Sequence, residues 1–183
     1  MKLEGGKMLL LKIRRLPWIA ALVLKKIIES VVVVTILIYL VMVFDIYINT
    51  EKLSKVSPVD YLKAEKIVNN PKFTKGSVTI RVDRGTLGHR LGPYIIWGGM
   101  YAYAPVALFP HNRTIVIGER MLDSEYLDVF VAHELGHIQG GWTSFGKVVD
   151  SEKYADSFAI EVVGNDRFNL FRKHLQELSK QLK

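Results

Sequence analysis

The chain has 183 residues, of which 49% are hydrophobic, 10% aromatic and 23% charged, and its formal net charge is +7. It contains no cysteine, which excludes disulfide bonds and thiol chemistry. Residues 1–26 contain seven Lys or Arg against one Glu, so they hold +6 of the +7. The remainder is nearly neutral. We therefore expect no nucleic-acid partner, because such a partner requires a basic patch on the folded domain.

A long apolar segment follows the basic residues. Residues 30–44 contain no charge, and the wider window 27–48 adds only Glu29 and Asp45, both near its ends. About 20 apolar residues span a bilayer, so the sequence predicts a transmembrane helix at 27–48. No small-residue cleavage pattern follows the segment, which favours an uncleaved signal anchor over a removed signal peptide.

The distribution of charge predicts the topology of this anchor. More Lys and Arg precede the helix than directly follow it, and the positive-inside rule then places the N-terminus in the cytoplasm and the following domain outside. A domain on the cytoplasmic side is the alternative. Within the basic segment 1–26, residues 16–24 are interpreted as an interfacial helix that Pro17 opens. The lipid bilayer is accordingly an expected partner.

Residues 49–57 are predicted to form a juxtamembrane spacer, and residues 58–183 a single folded domain. A domain of this length is large enough for one hydrophobic core. Its first element is a helix from Pro58 to about Asn69, with Ser57 as its cap and the proline at its first position. Residues 77–82 then alternate between apolar and polar, as a half-buried strand does.

A glycine-rich loop at 85–92 carries no phosphate-binding pattern, and an uncharged, aromatic-rich run at 94–109 follows it. The run is short for a second span, and its glycines and proline favour two strands with a bulge. We expect an edge strand here to pair with an extended peptide. Residues 114–118 form a further strand. The loop histidines His89 and His111 are interpreted as surface residues and not as ligands.

The next helix, predicted from about Ser124 to Gln139, contains His133-Glu134-Leu135-Gly136-His137, the pattern H-E-x-x-H. Positions i and i+4 lie on one helix face about 6 Å apart along the axis, so two imidazoles can converge on one zinc ion. Glu134 leaves the helix about 100° round, where it reaches a water molecule at the open position of the metal. Gly136 costs about 1 kcal/mol relative to alanine, which the close approach of another backbone or of substrate would explain. The alternative is an exposed helix that carries these residues by chance.

A catalytic zinc site needs a third protein ligand and an open fourth position. Glu152 and Asp156 stand at i and i+4 of a second predicted helix, capped at 150–151 and ending at Gly164. We interpret Glu152 as the third ligand and Asp156 as the acceptor for the free N–H of a ligating histidine. Ala155 is expected to let the two helices pack closely. The alternative is a solvated acidic face.

Together the two segments resemble the gluzincin metallopeptidases, in the branch that contains the CAAX prenyl proteases, the membrane heat-shock metalloproteases and the minigluzincins. That branch has H-E-x-x-H followed by E-x-x-A-D on the next helix, and the resemblance covers about residues 114–164. The matching residues are His133, Glu134, His137, Glu152, Ala155 and Asp156. The resemblance implies a Zn²⁺ endopeptidase in which the two histidines and Glu152 bind the metal, Glu134 is the catalytic base and Asp156 supports a ligand.

Larger members of these families place a histidine or arginine downstream of the site to stabilise the oxyanion. The candidates in this chain are Arg167, His174 and Tyr154. The first two lie on the last predicted helix, at about 167–183. For all three residues the alternative is an ordinary place in a helix.

The sequence thus predicts an α+β fold with a small, mostly antiparallel sheet packed on zinc-binding helices and preceded by one transmembrane helix. The expected function is that of a membrane-anchored zinc metalloendopeptidase acting on peptide or protein substrates near the membrane. The alternative is a catalytically idle, membrane-anchored scaffold or receptor domain with a structural zinc. The intact Glu134 argues against this alternative, because a structural site needs no base beside its metal.

Overall fold

The computed structural model describes residues 4–87, 102–105, 109–140 and 148–181. These residues form an α+β structure with six α-helices and one four-stranded sheet. In chain order the elements are α1 (Glu4–Asn49), β1 (Thr50–Lys52), α2 (Leu53–Val56), α3 (Pro58–Val68), β2 (Thr79–Asp83), β3 (Ala102–Tyr103), β4 (Thr114–Gly118), a 3₁₀ turn (Glu119–Met121), α4 (Leu127–Gly140), α5 (Val148–Val163) and α6 (Asn165–Gln181). The chain divides into two compact units, Met1–Val41 and Met42–Lys183.

The first unit consists of most of helix α1. From Ala20 to Asn49 this helix is long and apolar enough to cross a membrane. The predicted window 27–48 lies within it. Residues 16–24 do not form a separate helix as expected; they are continuous with α1, because no glycine or further proline interrupts the chain between Pro17 and the apolar run.

The second unit begins inside α1. Val43 and Ile46, on one side of the last turns of the helix, pack against Val116 and Tyr103 of the sheet. His111 is buried, and its Nε2 atom lies 3.1 Å from the carbonyl oxygen of Val43. Burial lowers the pKa of His111, which favours the neutral ring. The prediction that His111 is a surface residue is therefore wrong.

The segment 49–57, predicted as a spacer, instead contributes β1 and α2 to the fold. Thr50 and Leu53 are buried, and β1 pairs antiparallel with β2, Thr50 opposite Asp83 and Lys52 opposite Arg81. The Arg81 guanidinium donates hydrogen bonds to the Thr50 hydroxyl and, at 2.7 Å, to the Thr50 carbonyl oxygen. Because these contacts enter the core, the folded unit starts well before Pro58.

The strands follow the order β1-β2-β4-β3. The two outer pairs are antiparallel, but the central pair is parallel, from Thr79 opposite Thr114 to Asp83 opposite Gly118. The sheet is therefore mixed and not mostly antiparallel as predicted. The long connection 84–113 allows β4 to run in the same direction as β2, whereas only a short hairpin requires antiparallel strands.

The two strands predicted at 77–82 and 114–118 are confirmed as β2 and β4. Of the two strands predicted within 94–109, only β3 falls among the described residues. Residues 94–101 and 106–108 of that run and His89 lie outside them.

The main core lies between one face of the sheet and the helices α2, α3 and α4. Alternating strand residues point into it, which explains the alternation of apolar and polar residues in β2. Every residue of β4 is buried, because the helices cover one face and the end of α1 covers the other. The fully buried members of this core include Leu53, Ala64, Val82, Ile115, Ile117, Leu127, Val131 and Leu135.

Helix α3 is joined to the turn before α4 by a buried carboxylate. Asp60 has no exposed surface and accepts hydrogen bonds from the backbone N–H of Asp123 at 2.9 Å, from Ser57 Oγ at 2.9 Å and from Lys63 Nζ at 3.0 Å. Burial alone would raise the pKa of Asp60, but these donors outweigh it and hold the pKa below its usual value. Ser57 also caps α3, as the sequence predicts.

We expect Asp60→Asn to lower the free energy of unfolding by about 1–3 kcal/mol, because a buried donor loses its charged acceptor. Because the pKa of Asp60 is lowered in the folded protein, the free energy of unfolding also depends on pH. The contribution of Asp60 is fully present above about pH 4, the unfolded-state value, and is lost as the pH falls through the folded-state pKa. Thermal and urea unfolding of the full chain in detergent, followed by circular dichroism, measures both effects. The control is the exposed Asp166→Asn, and equal stability of the two variants would contradict the prediction.

Candidate metal centre

Helix α4 presents a different kind of side chain on each of its faces. Leu127, Val131 and Leu135 enter the main core, whereas Val129 and Ala132 pack against α5 and α6. The helix starts at Leu127, three residues later than predicted, and the Ser124 hydroxyl accepts a hydrogen bond from the backbone of Tyr126 in the preceding turn. Once the apolar faces are buried, His133 and His137 occupy the remaining partly exposed face.

Helix α5 carries the two carboxylates. It ends at Gly164, as predicted, where φ is +89°. It begins at Val148, so residues 150–151 lie within the helix and do not cap it, because the two preceding valines are already helical. Ala155 and Ala159 are fully buried. Glu152 and Asp156 lie one helical turn apart and share the side of the helix that meets α4.

Gly136 sets the separation of α4 and α5. A Cβ atom at this position would lie 2.7 Å from the Cα of Ala155, 3.2 Å from the Ala155 carbonyl oxygen and 3.1 Å from the Cβ of Phe158. Real Cβ contacts are not that short with backbone atoms, which cannot move aside as a flexible side chain can. The expected close approach of another backbone is confirmed. Gly136 and Ala155 therefore bring Glu152 within reach of the two histidines.

Donor atoms of three residues meet at the junction of these helices, namely one nitrogen of each histidine and the two oxygens of Glu152. His133 Nε2 lies 3.2 Å from His137 Nε2 and 3.3 Å from Glu152 Oε2, and His137 Nε2 lies 3.4 Å from Glu152 Oε1. Ligand atoms placed tetrahedrally around an ion with bonds of about 2.05 Å are about 3.3 Å apart. The spacing thus fits one small ion, and the group can hold a metal ion.

Asp156 supports the first histidine. Its Oδ1 atom lies 3.0 Å from His133 Nδ1, so this nitrogen donates its hydrogen to the carboxylate. The Nε2 lone pair is then directed at the other two donor atoms. A carboxylate in this position fixes the tautomer and the ring orientation of a ligating histidine and raises its basicity.

The electrostatics of the group favour an additional positive charge. Burial opposes protonation of His133, but hydrogen bonds to Asp156 and Glu152 outweigh it and raise the pKa of His133 to about 10. The same bond from His133 lowers the pKa of Glu152, whereas burial and the charge of His133 lower the pKa of His137. At neutral pH a proton on His133 offsets part of the negative charge of the carboxylates. A divalent cation can take its place, because metal binding displaces protons from its ligands.

Glu134 lies beside the donor group and is buried. Burial raises the pKa of its carboxyl to about 7, while the charge of His133 and a hydrogen bond from the backbone of Ala104 act in the opposite direction. Ala104 directly follows β3, so Glu134 is positioned between α4 and the end of that strand. The sequence analysis missed this backbone contact, since a main-chain group has no sequence signature.

The three candidates for oxyanion stabilisation have contacts of their own. Arg167 pairs with Asp128 at 3.1 Å and lies over the ring of Tyr126, and the ring of His174 also packs on Tyr126. Within the described residues these two therefore contact the start of α4 and not the histidine pair. Tyr154 is exposed on α5, where its ring lies near Phe158.

Comparisons with known protein families, with curated proteins and with solved structures found no match. The fold and the site define the chain as an α+β protein with a candidate metal centre of two histidines and one glutamate. The chemistry open to the site therefore follows from its own geometry.

We expect Gly136→Ala to destabilise the protein by about 1–3 kcal/mol, the usual cost of overpacking, although alanine is the better helix former by about 1 kcal/mol. Because the helices must move apart, divalent metal content should fall as well. Elemental analysis by mass spectrometry and thermal unfolding measure the two effects. The control is Ser157→Ala on the exposed side of α5. A Gly136→Ala variant that is more stable and keeps its metal would show that the close approach is not required.

Proposed function

We propose that this protein is a membrane-anchored zinc metalloendopeptidase of the gluzincin type. The observation that carries the proposal is the group of His133, His137 and Glu152, in which the two Nε2 atoms lie 3.2 Å apart and each lies 3.3–3.4 Å from a different oxygen of Glu152. A buried glutamate, Glu134, stands directly beside this group. A structural site needs only the ligands, whereas a hydrolytic site also needs a base. The combination of both therefore supports an enzyme.

The two histidines and Glu152 would hold the zinc ion, and Asp156 would hold His133 in the ligating orientation. A mixed set of two nitrogens and one oxygen is typical of catalytic zinc, in which a fourth position is left open. When bound there, zinc supplies a Lewis acid that polarises the scissile carbonyl and lowers the pKa of water.

Glu134 carries the proton transfers. Its carboxylate takes a proton from the attacking water and delivers it to the amine that leaves when the peptide bond breaks. Burial raises the pKa of Glu134 to about 7. The direction of this shift suits both tasks, because a carboxyl that acts first as a base and later as an acid needs a pKa above its usual value.

The position of β3 supports a peptide as substrate. This strand ends the sheet in the described part of the chain, and the next residue, Ala104, contacts Glu134 through its backbone. An extended peptide that adds to the edge of a sheet uses its main chain for binding. A peptide paired along β3 would pass Glu134, which favours an endopeptidase over an enzyme for small molecules.

Helix α1 supports the membrane anchoring, since Ala20–Asn49 is long and apolar enough to cross a bilayer. We infer a single-pass protein whose N-terminus is cytoplasmic, because residues 1–26 hold nearly all of the net positive charge. The metal centre and its peptide or protein substrates would then lie outside the cytoplasm, near the membrane surface.

Glu134→Gln is expected to keep the metal and the fold but to lose proteolysis by about two to four orders of magnitude, because the amide cannot accept the proton. His133→Ala and Glu152→Ala should lose the metal itself. The measurement is cleavage of an unbiased peptide library by the full chain in detergent, with and without a chelator, together with the zinc content of each variant.

Two outcomes would contradict the proposal. Full proteolysis by Glu134→Gln would remove Glu134 from the reaction. A wild-type protein that binds zinc but cleaves no peptide in the library would favour the catalytically idle scaffold or receptor domain.

The topology can be tested by labelling, because the chain has no cysteine and a single introduced thiol is unique. Glu161→Cys places a thiol on the exposed side of α5. We expect a membrane-impermeant maleimide to label this variant in intact cells. The control is the same labelling after permeabilisation. Reaction only in permeabilised cells would place the domain in the cytoplasm.

A further inference from the structure

The second unit carries an apolar surface at the end of α1. Phe44, Tyr47, Ile48 and Phe109 have between 59% and 73% of their surface exposed, and we call these four residues the Phe109 patch. Three of them stand at i, i+3 and i+4 of α1 and so share one face of the helix. The fourth belongs to the turn before β4.

The patch is part of the fold and not a frayed end. The opposite side of the same helical turns is fixed on the sheet, where Val43 and Ile46 pack against Val116. The hydrogen bond between His111 and the carbonyl oxygen of Val43, 3.1 Å long, joins the turn of Phe109 to the helix. Two residues span at most about 7 Å, so Phe109 lies beside the last turns of α1.

The length of the apolar segment indicates what covers the patch. The apolar window 27–48 measures about 33 Å along a helix, close to the thickness of about 30 Å of the hydrocarbon core of a bilayer. Tyr47 and Ile48 then lie at the C-terminal end of the span. They belong to turns that are part of the second unit, so the surface around them lies at the membrane boundary.

The one charged residue among these turns is already satisfied within the protein. Asp45 accepts hydrogen bonds from Asn49 Nδ2 at 2.8 Å and from the backbone N–H of Leu87 at 2.7 Å. A carboxylate with two donors is easier to hold near a membrane than one that depends on water. The apolar neighbours of Asp45 can thus extend the apolar segment without exposing an unpaired charge.

We propose that the Phe109 patch is a membrane-contacting surface that places its side chains at the boundary between lipid headgroups and acyl chains. Aromatic residues are enriched at this depth, and apolar faces of interfacial elements enter it by about 5–10 Å. The lipid contact holds the second unit close against the bilayer. The inference rests on the proposed anchoring by α1 and is independent of the proposed peptidase activity.

The test uses the absence of cysteine to place one spin label at a time. Phe109→Cys, Tyr47→Cys and the control Leu170→Cys, an exposed apolar residue of α6, are made in the full chain and reconstituted into phosphatidylcholine vesicles. Ile36→Cys, in the middle of the apolar run, reports on the span itself. Electron paramagnetic resonance then compares collisions of each label with oxygen, which enters lipid, and with a water-soluble nickel chelate.

We expect the ratio of oxygen to nickel accessibility at positions 109 and 47 to exceed that at position 170 several-fold. If the label at 109 is accessible to nickel while the label at 36 is exposed to lipid, the patch proposal is overturned. The anchor is then still supported. Low accessibility to both reagents at 109 would indicate that a second protein copy covers the patch, which also overturns the proposal. A water-exposed label at 36 would overturn both the anchor and the patch. Peptide cleavage by the same vesicles reports separately on the metal centre.

Discussion

The candidate site depends on the contact between Gly136 and Ala155. The ligands are divided between two helices, and imidazole and carboxylate side chains can meet around one ion only if the helix axes are close. The absence of a side chain at Gly136 lets α4 approach the backbone of α5 directly. This proximity brings a Glu152 oxygen to within 3.3–3.4 Å of each histidine nitrogen, and it also lets Asp156 reach His133. Glycine is a poorer helix former than alanine, so the contact between the helices at Gly136 comes at the expense of local helix stability.

A second property follows from the charges that the two helices bring together. Glu152 and Asp156 face a pair of imidazoles in a partly buried setting, where a single proton on His133 offsets only one of the two carboxylate charges. The group therefore keeps a residual negative charge at neutral pH, and a divalent ion can replace the proton. Glu134 lies in a different setting, because burial raises the pKa of its carboxyl to about 7. The surroundings of these carboxylates, and not their residue type, set these differences.

Much of this arrangement follows from local sequence. The four-residue spacing of His133 and His137 and that of Glu152 and Asp156 place each pair on one helix face, and β2 is recognisable from its alternating apolar residues. Other features depend on contacts between distant residues. The segment 49–57 has no strong pattern and becomes β1 only because β2 provides a partner, and His111 is buried only because α1 continues into the second unit. The parallel central pair likewise depends on where a long connection returns, and the contact of Ala104 with Glu134 involves a main-chain group.

Strand β1 and the end of α1 complete the sheet, which limits where the chain can be truncated. A fragment cut at the apparent domain boundary near Pro58 would leave β2 as an unprotected edge and would uncover Val116 on the opposite face. Exposed sheet edges and apolar faces recruit other chains, so such a fragment would self-associate. The anchor and the globular part therefore share residues 42–52, and a soluble version of the protein has to retain this stretch or replace the surface that it covers.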